Sequence, residues 1–126
     1  MGSEIKSHKD LIVWQKALAL AVSVYRLAKE MPRVEEYRLT SQIVRAAASI
    51  PANIAEGHAR GTRKDYANFV NIARGSLAEL DTFLIIVVET GLLTSETVRS
   101  VLVDCDEVGR MLTALSARLR DVPPKT

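Results

Sequence analysis

The stretch VRSVLVDCDEVGRMLTALSARLRDV, residues 98–122, indicates the fold class, because its apolar residues recur at alternating spacings of three and four. Such spacing places them on one face of an α-helix and is typical of the seam along which bundled helices pack. Thr94 is the predicted N-cap of this helix, and Pro123-Pro124 closes it. The apolar positions are Val98, Val101, Cys105, Val108, Leu112, Leu115, Leu119 and Val122.

The helix before it is predicted to begin at Thr62, which with Asp65 has the spacing of a capping box, and to end at Gly91. The apolar run 83–88 would also suit a buried strand. We assign it to the helix, because it keeps the register of the preceding residues and has no partner strand. The core positions are Tyr66, Phe69, Val70, Ala73, Leu77, Leu80, Leu84 and Val87, with Ile85, Ile86 and Val88 extending the apolar surface.

A second helix is predicted from about Glu36 to His58, with an alanine-rich flank that lets a neighbouring helix approach closely. Pro51 lies inside the pattern and removes one backbone hydrogen bond, so we expect a kink there without a break. Gly57 and Gly61 are the predicted terminators. The core positions are Leu39, Ile43, Ile50 and Ile54.

The first helix is predicted from about Asp10, its N-cap, to Glu30, ahead of Met31-Pro32. It carries two apolar faces, whereas a helix at the corner of a bundle needs only one. We therefore expect a second copy of the chain to cover part of it. One face consists of Leu11, Trp14, Leu18, Ala21, Tyr25 and Ala28, and the other of Val13, Ala17, Leu20, Val24 and Leu27. The candidate oligomer interface consists of Val13, Ala17, Leu20, Val24, Ile85 and Ile86.

Together these patterns predict an all-α, antiparallel up-down-up-down four-helix bundle, because short loops between long helices join antiparallel neighbours. The bundle is expected at residues 10–122, between a flexible tail at 1–9 and a short tail at 123–126. A chain of 126 residues, 48% of them hydrophobic, is long enough to bury such a core as one domain.

The composition argues against catalysis and metal binding. The single cysteine, Cys105, excludes an intramolecular disulfide and a zinc cluster. Neither of the two histidines forms a Glu-x-x-His pair or lies at helical spacing from a serine, and no glycine-rich phosphate loop follows a strand. We expect a non-enzymatic protein without cofactor or metal. With neither a signal-peptide pattern nor an apolar run of bilayer length, a cytoplasmic location is expected.

The net charge of +2 is too small to indicate nucleic-acid binding by itself, but the charge is unevenly distributed. Residues 37–76 hold six basic and two acidic side chains, whereas residues 77–107 hold one basic and seven acidic ones. Either the basic half binds a polyanion, or the two halves meet across a subunit contact.

A polar stripe runs along the second helix, with side chains at every third or fourth position. It is either a solvated outer face or a donor surface suited to phosphate oxygens or a partner helix. Beside its end, the loop 60–64 combines three cations with the N-terminus of the third helix, which favours anions. The stripe consists of Arg38, Gln42, Arg45, Ser49, Asn53, Glu56 and Arg60, and the candidate nucleic-acid-binding residues are Arg38, Arg45, Arg60, Arg63 and Lys64.

The aromatic residues are expected in the core or in subunit contacts. They lie in apolar stripes without interleaved basic residues, which argues against a surface for base stacking. They are Trp14, Tyr25, Tyr37, Tyr66, Phe69 and Phe83.

Two stretches resemble a known family. Residues 45–57, RAAASIPANIAEG, resemble the signature of the 23S rRNA-intervening sequence proteins, and residues 72–80, IARGSLAEL, resemble the signature of their third helix. The resemblance extends over roughly residues 9–115. It also includes Asp10-Leu11, Val13-Trp14, Ala17, Tyr25, Met31-Pro32, Tyr37, Leu39, Gln42 and Ile43.

The resemblance implies an antiparallel four-helix bundle that assembles as a homo-oligomer, since relatives form pentamers. Some members are encoded within insertions in bacterial 23S ribosomal RNA genes. A related branch, the accessory protein of diversity-generating retroelements, is a basic pentameric barrel that binds nucleic acid, whereas this chain is only mildly basic. The residues of the polar stripe that match the signature are Arg45, Ser49, Asn53 and Glu56.

Two functions follow as hypotheses. The first is a non-catalytic homo-oligomer that binds RNA or DNA, or associates with a ribonucleoprotein, through the second helix and the loop 60–64. The alternative is a protein–protein interaction scaffold that binds no nucleic acid.

Overall fold

The computed structural model describes residues 4–120, and within this range it contains four α-helices and no strand. The helices are α1 (Ile12–Ala28), α2 (Ser41–Ala59), α3 (Arg63–Glu89) and α4 (Ser95–Arg120). Short 3-10 turns lie at His8–Asp10 and Arg33–Glu35, and a π-helical segment occupies Glu36–Thr40. The predicted all-α, four-helix fold is confirmed, whereas Val122 and Pro123-Pro124 lie outside the described residues.

The core lies between the four helices. α2 packs against α1 and α3, and α4 packs against α3 and α1, so each helix contributes a buried stripe. Burying one leucine or isoleucine side chain stabilises the fold by about 1.5–3 kcal/mol, so the four buried stripes together are the main source of stability. The largest side chains with no more than a trace of exposure are Leu20, Ile50, Ile54, Leu80, Leu84 and Leu112.

The start of α1 differs from the prediction. The Asp10 carboxylate accepts hydrogen bonds from the backbone N–H groups of Lys6 (2.8 Å) and Ser7 (3.2 Å), and so completes the capping box of the preceding 3-10 turn. α1 begins only at Ile12, after Leu11, which offers no side-chain cap. The prediction that Asp10 caps α1 is therefore wrong, because the chain makes an additional turn first.

The ends of α2 also differ. Its predicted first residues, 36–40, form the π-helical segment, and α2 then continues through Pro51 to Ala59. Gly57 is buried within the helix and is not a terminator. The chain turns at Gly61, whose φ of +83° is accessible to glycine without strain.

The predicted starts of α3 and α4 and the predicted stop of α3 are confirmed, whereas α1 ends at Ala28, before the predicted Glu30. The hydroxyl of Thr62 accepts a hydrogen bond from the N–H of Asp65 at 3.1 Å, and that of Thr94 accepts one from Thr97 at 3.1 Å. Gly91 has a φ of +76° just beyond α3. The run 83–88 is helical throughout, as its register predicted.

The inward face of α1 corrects the predicted oligomer interface. Val13, Ala17, Leu20 and Val24 are all buried in the core of the single chain, so a second copy cannot reach them. That part of the interface prediction is wrong, because these side chains are covered by α2 and α4. Ile85 and Ile86 remain exposed on α3 and stay candidates, and the exposed apolar side chains of α1 are Ile12, Leu18, Val22 and Tyr25.

Within residues 4–120, no helix combines the length and the hydropathy that a membrane crossing requires.

Candidate nucleic-acid interface

The polar stripe of α2 lies on the outside of the fold. Gln42, Arg45 and Glu56 are exposed, and Ser49 and Asn53 are half-buried. Three of these side chains donate to carbonyl groups of their own helix: Gln42 to Arg38 (2.6 Å), Ser49 to Ala46 (2.8 Å) and Asn53 to Ser49 (2.7 Å). Their donors are thus partly used within the chain, which leaves the cations as the principal groups available to a ligand.

Arg60 is engaged on two sides. Its guanidinium forms a hydrogen-bonded ion pair with Glu56 at 2.8 Å and lies 5.0 Å above the centre of the Phe69 ring. The hydrogen bond and the charge of Glu56 raise the pKa of Arg60 above its ordinary value. Arg60 therefore remains charged, but the neighbouring carboxylate offsets part of its field.

Arg63 connects the start of α3 to the end of α4. Its Nε donates to the carbonyl oxygen of Leu119 at 3.0 Å, and its terminal nitrogen donates to the carbonyl oxygen of Arg118. The last carbonyls of a helix carry partial negative charge and lack partners within the helix, so a guanidinium satisfies them well. The structure thus gives this predicted site residue a packing contact.

The remaining candidate cations are more open. The Arg38 side chain is 70% exposed and lies 3.7 Å from the Glu35 carboxylate. Arg45 and Lys64 are exposed, and neither forms an ion pair with another residue between 4 and 120. Of the five predicted cations, these two are thus the least engaged by the fold.

The connection between α1 and α2 holds apolar side chains whose exposure the sequence did not indicate. We name residues 33–40 the α1–α2 corner. Tyr37 is 87% exposed and Val34 is 69% exposed, whereas Glu35 is buried between them. Tyr37 was expected in the core or in a subunit contact, and the core alternative is wrong. The pattern gave no signal for this, because it does not reveal the π-helical turn.

Two open depressions flank the fold. One, of about 670 Å³, lies between α1 and α2 and is mostly apolar, with Trp14, Val22 and Pro51 in its wall. The other, of about 800 Å³, lies between α3 and α4. Beside the second, the buried Ser116 hydroxyl donates to Asn71 at 3.0 Å, and Arg74 donates to the same Asn71 oxygen at 3.3 Å.

The described residues include one buried thiol, and the outer surface of α2 carries exposed cations. Cys105 is buried, and this burial raises the pKa of its thiol to about 12, so the nucleophilic thiolate is strongly disfavoured. Among residues 4–120, no group of three or more acidic, histidine or cysteine side chains is placed to hold a metal ion. What the α2 surface offers is exposed guanidinium and ammonium groups, which bind phosphate or carboxylate oxygens.

Fold and surface together define an all-α, four-helix protein with an exposed basic and polar helix face. The chain belongs to the 23S rRNA-intervening sequence protein family, whose model matches residues 9–114. This match confirms the family inferred from residues 45–57 and 72–80.

A solved structure supports the same assignment. The chain is similar to a protein of unknown function from the S23 ribosomal protein family of Bacteroides thetaiotaomicron VPI-5482, with 30% sequence identity and a TM-score of 0.78. The similarity covers 83% of this chain and 98% of that one. No curated protein matches the chain.

Proposed function

We propose that this chain is a non-catalytic, homo-oligomeric RNA-binding protein that contacts the phosphate backbone through the outer face of α2 and the turn into α3. The observation that carries the proposal is the exposure of Arg45 and Lys64 without an ion pair to another described residue. A cation that neutralises a phosphate releases the counter-ion condensed on the nucleic acid, and this release is a main source of affinity for a polyanion. The family description refers to 23S rRNA, which supports RNA as the ligand class.

We also propose that the four helices follow one another in antiparallel, up-down-up-down order. The short connections at 60–62 and 90–94 support it, because consecutive helices joined by so few residues reverse direction. The proposal also includes a bend of α2 at Pro51, which lacks the N–H that would bond to Ala47. The bend sets the direction of the basic residues after it relative to Arg45.

Assembly into a homo-oligomer is supported by the outer face of α1. Ile12, Leu18, Val22 and Tyr25 are between 41% and 59% exposed, beside the apolar depression between α1 and α2. Adjacent exposed apolar side chains of this kind mark an interaction surface. A closed ring would repeat the α2 surface on every subunit, so that a few cations per chain add up to a substantial field.

Filter binding of a structured RNA at about 50 and 200 mM salt tests the RNA proposal. We expect Arg45→Ala with Lys64→Ala to weaken binding and to lower the slope of log affinity against log salt by about 0.7–0.9 for each lost phosphate contact. The matched control is Arg99→Ala with Arg110→Ala on α4, which removes the same charge elsewhere and should leave the slope nearly unchanged. Absence of salt-dependent binding, or equal losses in both variants, would overturn the proposal.

The second candidate function is a protein-interaction scaffold without nucleic-acid binding. The apolar depression between α1 and α2 favours it, because mostly apolar concave surfaces commonly receive a partner. In that case Arg45→Glu changes the oligomeric state, and neither the wild type nor the variant binds RNA. Sedimentation velocity of the wild type and this variant, at equal protein concentration, distinguishes the two functions.

A further inference from the structure

The α1–α2 corner exposes more apolar surface than its sequence predicts. Tyr37 and Val34 have the largest exposed fractions among the exposed large hydrophobic side chains of residues 4–120. Apart from Ile5, which precedes the first 3-10 turn, the other exposed large hydrophobic side chains of the described residues lie on α-helices. Here an aromatic ring stands almost fully in solvent, and exposed aromatic rings are characteristic of binding surfaces.

The backbone of the corner produces this exposure. The chain leaves α1 through a 3-10 turn and then forms a π-helical segment, in which the N–H of Ser41 donates to the carbonyl of Glu36. The wider turn adds a residue relative to an α-helix and rotates the following side chains. In this corner the Glu35 side chain is only 11% exposed, whereas Tyr37 is 87% exposed.

The same segment contains a buried polar group without a hydrogen-bond partner. The hydroxyl oxygen of Thr40 is buried without a hydrogen-bond partner among the described residues. An unsatisfied buried hydroxyl destabilises the fold, and π-helical turns occur frequently at functional sites. The segment that exposes Tyr37 therefore also contains a buried hydroxyl that no described residue satisfies.

Two arginines lie close to Tyr37 in the sequence, Arg33 four residues before it and Arg38 one residue after it. Arg33 is exposed, and Arg38 is 70% exposed with only a 3.7 Å approach to Glu35. Glu36 is exposed as well, so the corner is distinguished by an aromatic ring between arginines and not by net charge. The carbonyl of Arg38 accepts the hydrogen bond from Gln42, which joins the corner directly to the polar stripe of α2.

We propose that Tyr37 is a stacking platform for an unpaired base of a bound RNA, with Arg38 on the adjacent phosphate. The inference rests on the RNA binding proposed above and adds a preference to it. Phosphate contacts alone do not distinguish duplex from loop. An aromatic face distinguishes a loop from a duplex. The bases of a duplex are already stacked on each other, whereas an unpaired base of any identity can stack on tyrosine.

Two RNA probes test the preference, namely a hairpin with an unpaired loop and a blunt duplex of the same stem. Tyr37→Ala should bind the hairpin about 5- to 100-fold more weakly than wild type and bind the duplex unchanged. Tyr37→Phe keeps the ring and should bind like the wild type. The matched control is Val103→Ala, which removes a 61% exposed apolar side chain from α4 and should not affect the hairpin.

A fluorescent base analogue in the loop gives a direct signature, because stacking on the ring quenches its emission and Tyr37→Ala should abolish the quenching. Equal hairpin affinities of Tyr37→Ala and wild type, while wild type still binds both probes, overturn the inference and leave the proposed function standing. Wild type that binds neither probe overturns both. A changed sedimentation profile for Tyr37→Ala with unchanged hairpin affinity assigns Tyr37 to a subunit contact and overturns the platform.

Discussion

Basic residues lie near both ends of α2, but the two ends differ in how many contacts they make with the rest of the chain. At the C-terminal end, Gly57 packs against α3, Arg60 lies over Phe69, and Thr62 caps the next helix. At the N-terminal end, the α1–α2 corner leaves Tyr37 in solvent and the Thr40 hydroxyl without a partner. The C-terminal end is fixed by contacts within the chain, whereas the N-terminal end holds groups that no described contact uses.

This difference bears on which cations can serve a ligand. Arg60 and Arg63, the obvious basic pair at the turn into α3, contact Glu56 and the last carbonyls of α4. Arg38 directly follows the exposed Tyr37 in the chain, and its guanidinium approaches the Glu35 carboxylate only to 3.7 Å. Arg60 and Arg63 thus partly stabilise the fold, whereas Lys64 beside them and Arg38 at the irregular corner are more available for binding.

The largest effect is expected for Gly57→Ala. The new Cβ would lie 2.6 Å from the Cβ of Phe69 and 3.2 Å from Cδ1 of Tyr66, so α2 and α3 must separate. Alanine gains about 1 kcal/mol of helix propensity over glycine, but the overlap costs more, and we expect a net loss of about 1–3 kcal/mol in the free energy of unfolding. Urea denaturation followed by circular dichroism measures it.

Gly75→Ala is the matched control, because a Cβ at Gly75 in α3 meets nothing within 4 Å. It should be neutral or stabilising by up to about 1 kcal/mol. Equal stability of the two variants would contradict the close approach of α2 and α3.

A smaller loss is expected for Thr62→Ala, which removes the acceptor for the N–H of Asp65. Loss of such an N-cap costs about 1 kcal/mol. Thr62→Ser keeps the oxygen and should retain most of the stability in thermal melts. A melting temperature equally low for both variants would show that the methyl group of Thr62, and not its cap, stabilises the turn.

At the other end of α2, Thr40→Val should stabilise the chain, because it replaces a buried hydroxyl oxygen that has no partner by a methyl group. The expected gain is at most about 1 kcal/mol, since the new methyl group must also fit the π-helical turn. Thr40→Ser retains the hydroxyl and should give no gain in urea denaturation. Destabilisation by Thr40→Val would mean that the hydroxyl is hydrogen-bonded in solution.

The smallest effect is a pH dependence at Tyr66. Burial raises the pKa of this tyrosine above its ordinary value of 10.0, against the weaker opposing charge of Arg118. Since the folded state disfavours the ionised ring, its contribution is complete below the unfolded pKa and is lost as the pH rises through the folded one. Wild type should therefore lose more stability than Tyr66→Phe from about pH 10 upward.

Cys105 titrates in an overlapping range, because its pKa is also raised, to about 12. The quantity to compare is therefore the difference between the stability curves of wild type and Tyr66→Phe, in which the contribution of Cys105 cancels. Parallel curves would contradict the burial of Tyr66 beside Gly57.

Much of the fold could be predicted from local sequence signals. The three-four spacing of residues 98–119 defined α4, and Thr62, Gly91 and Thr94 marked helix ends correctly. Signals of this kind work because a cap or a left-handed glycine acts on its immediate neighbours. Asp10 failed for the complementary reason, since a capping signal does not tell which of two successive turns it serves.

The candidate site was predictable only as a set of residues. The sequence placed Arg38, Arg45, Arg60, Arg63 and Lys64 near one another along α2 and the following turn. It could not tell that Arg63 donates to carbonyls more than fifty positions away in α4. Such a partner is chosen by the approach of two helix ends, which no local pattern encodes.

By itself the sequence determined that the chain is all-helical, has four helices and belongs to its family, because periodicity, capping and the signature residues are local properties. Only the tertiary structure decided which apolar face of α1 is internal and which residue of the α1–α2 corner is exposed. Both faces of α1 are similarly apolar, so the choice depends on where α2 and α4 pack. Tyr37 is exposed on the π-helical turn Glu36–Thr40. That turn forms among the packed helices, so the local sequence pattern did not predict it.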